Sequence, residues 1–320
     1  MKTIALLKKD LSPLGGLEKQ TRRIQNAFED AGCAVSILPN THKNHTCAYD
    51  IVLGIDRALY QTHLRAGNGV HAAYLTRRPF HKKWMPKHRC VLRQEKKALK
   101  QSTLRHIITN SEMVRQEYMH FYNIDPEKIT TIHNGVEWDE LEKPFHDAQN
   151  KSSAPYHFLF IGNDLRRKGL LPLMHALAHL RKEEWKLTII GSDKSIGSFM
   201  TLAKALDIDQ KTHFAGKQTN PIPYYAKADC LVLPTFYDPF ANVTLEALAM
   251  GLFIITSPYN GAKEILTPET GTVSVAGKPL KEACYQALKS ARNPTAIRGS
   301  VKHLDFQNQL HAFTHLCLTT

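Results

Sequence analysis

The sequence predicts an α/β chain built from two Rossmann-like, doubly wound parallel-sheet domains. Three observations predict it. Short apolar segments alternate with longer segments of helical spacing, the pattern of a parallel sheet with covered faces. The alternation stops in a polar stretch near the middle and then restarts. The length, 320 residues, suits two domains of about 150 residues each.

Taken in order, Thr3–Leu7 reads as a buried strand and Leu11–Gly16 as a glycine-containing loop. Leu17–Ala31 has helical spacing (Leu17, Ile24, Ala27, Phe28, Ala31) and stops at Gly32, a favourable C-terminal residue. Ala34–Leu38, Ile51–Leu53 and Arg105–Thr109 read as strands. Ser111 is placed to cap a helix Glu112–Tyr122. A strand Lys128–Ile132 then leads into His133-Asn134-Gly135-Val136. Residues 143–154 are polar and precede Pro155, which suits a linker. The expected domains are therefore 1–150 and 151–320, with the last helix packing back on the first.

In the second half, strands are expected at Tyr156–Ile161, Lys186–Ile190, Thr212–Phe214, Cys230–Leu233 and Phe253–Thr256. Helices are expected at Leu170–Arg181, Ser198–Leu206, Pro223–Ala228 and Asn242–Met250. Two doubly wound units facing each other would leave a cleft at the carboxyl ends of their strands, where ligands bind in such sheets.

Composition narrows the function classes. No apolar run approaches the ~18–20 residues of a membrane span, and the first residues meet Lys8, Lys9 and Asp10 too soon for a signal peptide. Six cysteines are scattered without a C-x-x-C pair and 17 histidines are dispersed, so a reducing cytoplasm and no metal are expected. A net charge of +13 calls for an anionic partner. Between Arg77 and Arg105 a run of cations faces one acid, Glu95, with Phe80, Trp84, Met85, Val91, Leu92 and Leu99 interleaved. That is the pattern of a segment on an anionic membrane, or of a solvated basic face.

Chemistry concentrates in Leu231–Gly251. A buried strand runs into a loop, and a helix starts near Ala241–Asn242. Backbone N–H groups at Ala241, Asn242 and Val243 would have no intrahelical partner and can bind a diphosphate. Glu246, about one turn inside, is placed for a ribose diol, and Asp238, before the helix, for hydroxyls of a transferred sugar. Read alone, these are also an N-terminal acid and a helix-face Glu. Asp207-Ile208-Asp209 mimics a D-x-D metal motif, but no nucleotide-binding strand precedes it. No G-x-G-x-x-G or P-loop occurs.

The segment Tyr237-Asp238-Pro239-Phe240…Leu245-Glu246-Ala247 resembles the E-x7-E signature of the family 4 retaining glycosyltransferases, which have the GT-B fold. It is most similar to lipopolysaccharide-core members related to glucosyltransferase I, with Asp238 where the family has Glu. Phe158–Gly169 resembles the family loop in which an Arg and a Lys hold the donor phosphates. Lys168 matches the Lys, and either Arg166 or Arg167 matches the Arg. Gly191, which ends the strand Lys186–Ile190, is a further donor-binding candidate, and the resemblance extends to Leu14-Gly15-Gly16-Leu17-Glu18, whose amides would approach phosphate and sugar. Ala66–His71 resembles the segment carrying a cleft histidine, so His71 is either a sugar contact or structural.

The resemblance implies a metal-independent hexosyltransferase needing no cofactor beyond its donor, a UDP-sugar such as UDP-glucose. Asp238, Lys168, Arg167 and His71 would act at the reacting centre. The implied acceptor is lipopolysaccharide inner core at the inner face of the inner membrane, met by a peripheral, monomeric, cytoplasmic enzyme through Arg77–Arg105. The same site could serve another cell-envelope glycan or glycolipid. A protein that binds donor without turnover, or a basic nucleic-acid-binding protein, are the competing classes, the second lacking aromatic RNA-binding signatures.

Overall fold

The computed structural model describes residues 1–8, 16–40, 48–55, 57–78, 83–149 and 155–320. Gly15 with most of its loop, Phe80, Lys82 and residues 150–154 lie outside the described residues. The chain divides into two compact units, Met1–Gly135 with Phe306–Thr320, and Val136–Asp305.

In the first unit, β1 (Thr3–Lys8), α1 (Gly16–Asp30), β2 (Ala34–Pro39), β3 (Ile51–Gly54) and β4 (His63–Arg65) are followed by α2 (His71–Thr76) and α3 (Pro86–Leu99). Then come β5 (His106–Thr109), α4 (Glu112–Tyr122) and β6 (Ile129–Thr131). The strands form one parallel sheet in the order β2-β1-β3-β4-β5-β6. Ile4, Leu6, Ile51, Leu53 and Ile108 are buried on it, with Ile24 and Phe28 of α1 among them. Ser111 caps α4, accepting from Val114 N at 3.2 Å. The sequence pattern did not reveal β4, because its His and Arg break an apolar strand signal.

The second unit begins with α5 (Trp138–Ala148), then β7 (Tyr156–Ile161), α6 (Leu170–Ala178), β8 (Trp185–Ile190), α7 (Ile196–Ala205), β9 (Thr212–Gly216) and α8 (Ile222–Lys227). It continues with β10 (Cys230–Leu233), α9 (Asn242–Ala249), β11 (Phe253–Thr256), β12 (Gly271–Val273), α10 (Lys278–Lys289) and α11 (Pro294–Ser300). Its sheet is also wholly parallel, in the order β12-β11-β10-β7-β8-β9. The last helix, α12 (Phe306–Thr319), belongs to the first unit, where Phe313 meets Phe28 edge-on at 6.5 Å.

One expectation needs correction. Lys143–Ala148 is the end of α5, not linker, and the unit boundary falls at Gly135/Val136. Pro144 and the polar neighbours disguise the helix, since an interior Pro forfeits a backbone hydrogen bond. Burial wins: Trp138, Leu141 and Phe145 are buried on one face. The Arg298 guanidinium lies 4.8 Å from the Trp138 ring centre and 4.5 Å from that of Phe145, and it pairs with Glu142.

Two histidines should make the first unit acid-sensitive. His63 is fully buried between Thr62 Oγ1 (2.9 Å) and Thr320 Oγ1 (3.0 Å), and burial, with Arg105 and His106 nearby, lowers its pKa to about 4. His71 is also lowered to about 4, by burial first and then by Arg57. A histidine held neutral on folding takes up a proton more readily when unfolded. Its stabilisation is therefore complete above about pH 6.5 and is lost as pH falls towards 4. At about 1.4 kcal/mol per pH unit, His63 accounts for roughly 3 kcal/mol, and half-buried His71 for less. Urea denaturation at successive pH values should show that loss for the wild type and a smaller one for His63→Gln. A wild-type curve flat down to pH 4 would contradict it.

Candidate active site

The second sheet reverses its winding between β7 and β10. The carboxyl ends of the strands at such a reversal are the place where doubly wound sheets bind ligands. The loop leaving β7 is Gly162–Gly169, and the loop leaving β10 is Pro234–Ala241. These carry the motifs that the sequence marked.

The loops converge on one carboxylate. The Lys168 ammonium contacts Asp238 Oδ2, both side chains being largely buried. Arg167 Nη1 lies 3.9 Å from the same oxygen and donates to Tyr237 O at 2.9 Å, while its Nε donates to Asp164 Oδ2 at 3.1 Å. Arg166 turns away, its guanidinium 5.7 Å from the Phe199 ring centre. Of the two candidate arginines, the fold thus groups Arg167 with Lys168. Each cation has a carboxylate neighbour, so an arriving diphosphate would compete with Asp238 for them. Its greater charge, in a partly water-excluded crevice, favours the phosphate.

The frame beneath these cations is rigid. Gly162 leaves room for the Lys168 stem, since a Cβ there would lie 2.9 Å from Lys168 Cγ. Asp193 accepts from Leu165 N at 2.8 Å, and Asn163 accepts from Ser192 N at 3.0 Å, binding the loops after β7 and β8 together. At Gly169 φ is +88° and a Cβ would sit 2.1 Å from Pro234 O, so only glycine lets the two site loops meet. Gly191, with φ +147°, approaches Gly162 O equally closely: an added Cβ would be 2.1 Å away. Gly191→Ala should cost more than about 2 kcal/mol and displace the Lys168 loop. A thermal melt and nucleotide titration check this, and wild-type values in both would contradict it.

The start of α9 is held from behind by Asn260, a fully buried residue. Its Oδ1 accepts from Ala241 N (3.2 Å) and Ala262 N (3.1 Å), and its Nδ2 donates to Thr244 Oγ1 and Thr256 Oγ1. The N-cap residue, Ala241, makes no side-chain cap bond of its own. Ala241 N is thus engaged by Asn260, while at that first turn Asn242 is exposed and Val243 half-buried. A helix start carries about half a positive charge, adding to the two cations. Glu246 is half-buried, and its Oε2 accepts from the Tyr225 hydroxyl at 2.7 Å. Burial, then the Glu246 carboxylate, keep that phenol well above its ordinary pKa, so it stays a donor. Sequence reasoning did not mark Asn260 or Tyr225. Asn260-Gly261 reads as an ordinary turn, and Tyr225 as a core aromatic.

In the first unit, Gly16 opens α1 and His71 opens α2. His71 N donates to both Glu95 oxygens (3.0 and 3.1 Å), and its Nε2 lies 3.0 Å from His88 Nδ1. Glu95 is 2% exposed and also receives Arg57 Nε and the Tyr122 hydroxyl. The lone acid of the basic stretch is thus the buried knot that fixes His71. Around it, α3 turns Lys87, Arg89, Arg93, Lys96 and Lys97 to solvent, Trp84 is 64% exposed, and Arg77 pairs with Glu117. Among the described residues no helix is long and apolar enough to cross a membrane.

Comparison with known proteins bears on the fold and the family. The Glycosyltransferase Family 4 model matches residues 43–140, and the Glycosyl transferases group 1 model matches residues 155–291. A Methanocaldococcus jannaschii protein, the uncharacterized glycosyltransferase MJ1607, is 28% identical over 184 residues, covering 54% of this chain and 47% of its own length. The match thus spans about half of that relative. The crystal structure of WaaG, a glycosyltransferase involved in lipopolysaccharide biosynthesis, superposes with a TM-score of 0.79 at 19% identity, covering 98% of this chain and 99% of WaaG. Anabaena Alr3699/HepE in complex with UDP-glucose superposes with a TM-score of 0.71 at 13% identity over the full length of both chains. Two wholly parallel six-stranded sheets, each with its matched domain, place this chain in the GT-B glycosyltransferases of family 4.

Proposed function

We propose that the protein is a retaining hexosyltransferase that moves a sugar from a UDP-sugar, UDP-glucose or one like it, to a lipopolysaccharide inner-core acceptor. The observation that carries this is the meeting of Lys168, Arg167 and the start of α9 around Asp238 at the winding reversal of the second sheet. Cations and helix amides fixed before the reaction stabilise charge on a departing diphosphate without reorganising. Asp238 holds the Lys168 ammonium in the crevice until phosphate displaces it, and then faces the sugar hydroxyls. Glu246, oriented by Tyr225, would accept from the ribose diol.

With the leaving phosphate taking the acceptor proton, attack from the same face retains the anomeric configuration and needs no separate general base. The complex of HepE with UDP-glucose supports the donor class, and the role of WaaG in lipopolysaccharide biosynthesis supports the acceptor. The exposed cations of α3 beside Trp84 suit a phosphorylated acceptor at an anionic membrane face.

A thermal-shift panel of nucleotide-sugars tests the donor. A ligand at about 100 times its Kd adds roughly 2.7 kcal/mol. UDP-sugars should stabilise the protein where GDP- and CMP-sugars do not, and no response to any of them would remove the reading. Transfer to lipopolysaccharide cores of graded length, with product anomers read by NMR, tests acceptor and retention. Transfer to a teichoic acid, capsule or glycolipid acceptor alone would replace the acceptor assignment.

A further inference from the structure

Beside the loop that carries these cations, α6 and α10 border a groove of about 590 Å³. Leu171, Ala176 and Phe236 give it an apolar floor, with Leu171 and Phe236 each 38% exposed. Lys278 and Lys281 stand at one side and the exposed His175 and His179 at another, and among the described residues no carboxylate lines it. An exposed apolar surface rimmed by polar groups marks an interaction site.

We propose that this groove takes an acyl chain of an anionic membrane lipid, with the lipid phosphate against Lys278 and Lys281. The volume is that of a small-molecule site, and the rim charge selects an anion. The chain leading into the groove at Ala276 carries Val273 and Val275, 46% and 49% exposed, so apolar surface runs on from the groove as it does where a protein meets a lipid layer. A second copy of the protein is a poorer occupant. A two-fold contact would bring lysines against lysines with no carboxylate between them. The groove also adjoins the proposed donor site: Phe236 N and Thr235 Oγ1 both donate to Arg167 O, at 2.8 and 3.1 Å. Lipid seated against Phe236 would therefore brace the backbone that carries Arg167.

Photo-cross-linking tests the site independently of any transfer activity. The full chain is mixed with phosphatidylglycerol vesicles whose acyl chains carry a diazirine, or with phosphatidylcholine vesicles bearing the same chains, and labelled peptides are mapped. Labels are expected in residues 170–179 and 276–281, roughly tenfold fewer with the neutral lipid. Leu171→Asp lies at an exposed position in the first turn of a helix, where an acid is tolerated. It should abolish labelling in both segments with the melting temperature unchanged. Lys278→Glu with Lys281→Glu should reduce that labelling about tenfold or more. Labels confined to the first unit, equal labelling by both lipids, or wild-type labelling of Leu171→Asp would overturn the proposal. So would a dimer in sedimentation that Leu171→Asp dissociates. The UDP thermal shift, read on the same samples, reports the donor site separately.

Discussion

Lys168→Ala is expected to lower sugar transfer by roughly 100- to 1,000-fold, the range for removing one preorganised charge donor from a reacting centre. The effect follows from position. The ammonium lies at the carboxyl end of β7, its stem over Gly162, fixed against Asp238. Alanine removes the charge and leaves the mostly buried Asp238 with Arg167, 3.9 Å away, as its remaining cation. Stability should fall by about 1–3 kcal/mol, the cost of a buried acceptor losing its donor, so the variant remains folded. Transfer kinetics and a melt on one preparation separate the two effects. Wild-type turnover would remove Lys168 from the site. Lys168→Arg, which keeps charge but not the compact head, should recover only part of the loss.

Glu246 gives the second large effect, and the structure changes how it must be tested. Glu246→Ala should abolish measurable transfer, yet it also strands the hydroxyl of fully buried Tyr225, at about 1–3 kcal/mol. Glu246→Gln keeps an acceptor for Tyr225 and loses only the carboxylate. It should melt near wild type while its Kd for UDP rises about tenfold or more, the worth of one charged hydrogen bond. Tyr225→Phe separates the roles further. If Glu246 acts only as a partner for Tyr225, Glu246→Gln will bind UDP as the wild type does.

Much of this architecture was legible in the chain. Tyr156–Ile161, Cys230–Leu233, Phe253–Thr256 and Glu112–Tyr122 stand where the pattern placed them, because each is a short apolar run or a capped periodic one. What escaped notice was held by tertiary burial. α5 hid behind Pro144, and β4 behind His63 and Arg65. The site divides likewise. Of the residues given ligand contacts in the proposed mechanism, Lys168 and Asp238 lie in loops and Glu246 in α9, and resemblance to the family motifs marked all three. The choice between Arg166 and Arg167 needed three dimensions, since adjacent residues on a short loop point apart. Asn260, Tyr225 and Glu95 support the candidate residues from remote parts of the chain, and spacing carries no trace of them.

The central claim concerns one patch of unit two: two side-chain cations and the start of α9, proposed to cradle a pyrophosphate together. A crystal structure with UDP bound tests it most directly. Diphosphate oxygens should lie within hydrogen-bonding distance of Lys168 Nζ, the Arg167 guanidinium and the amide of Val243, with Asp238 released from the ammonium. A nucleotide seated elsewhere, with the Lys168–Asp238 pair intact, would contradict it.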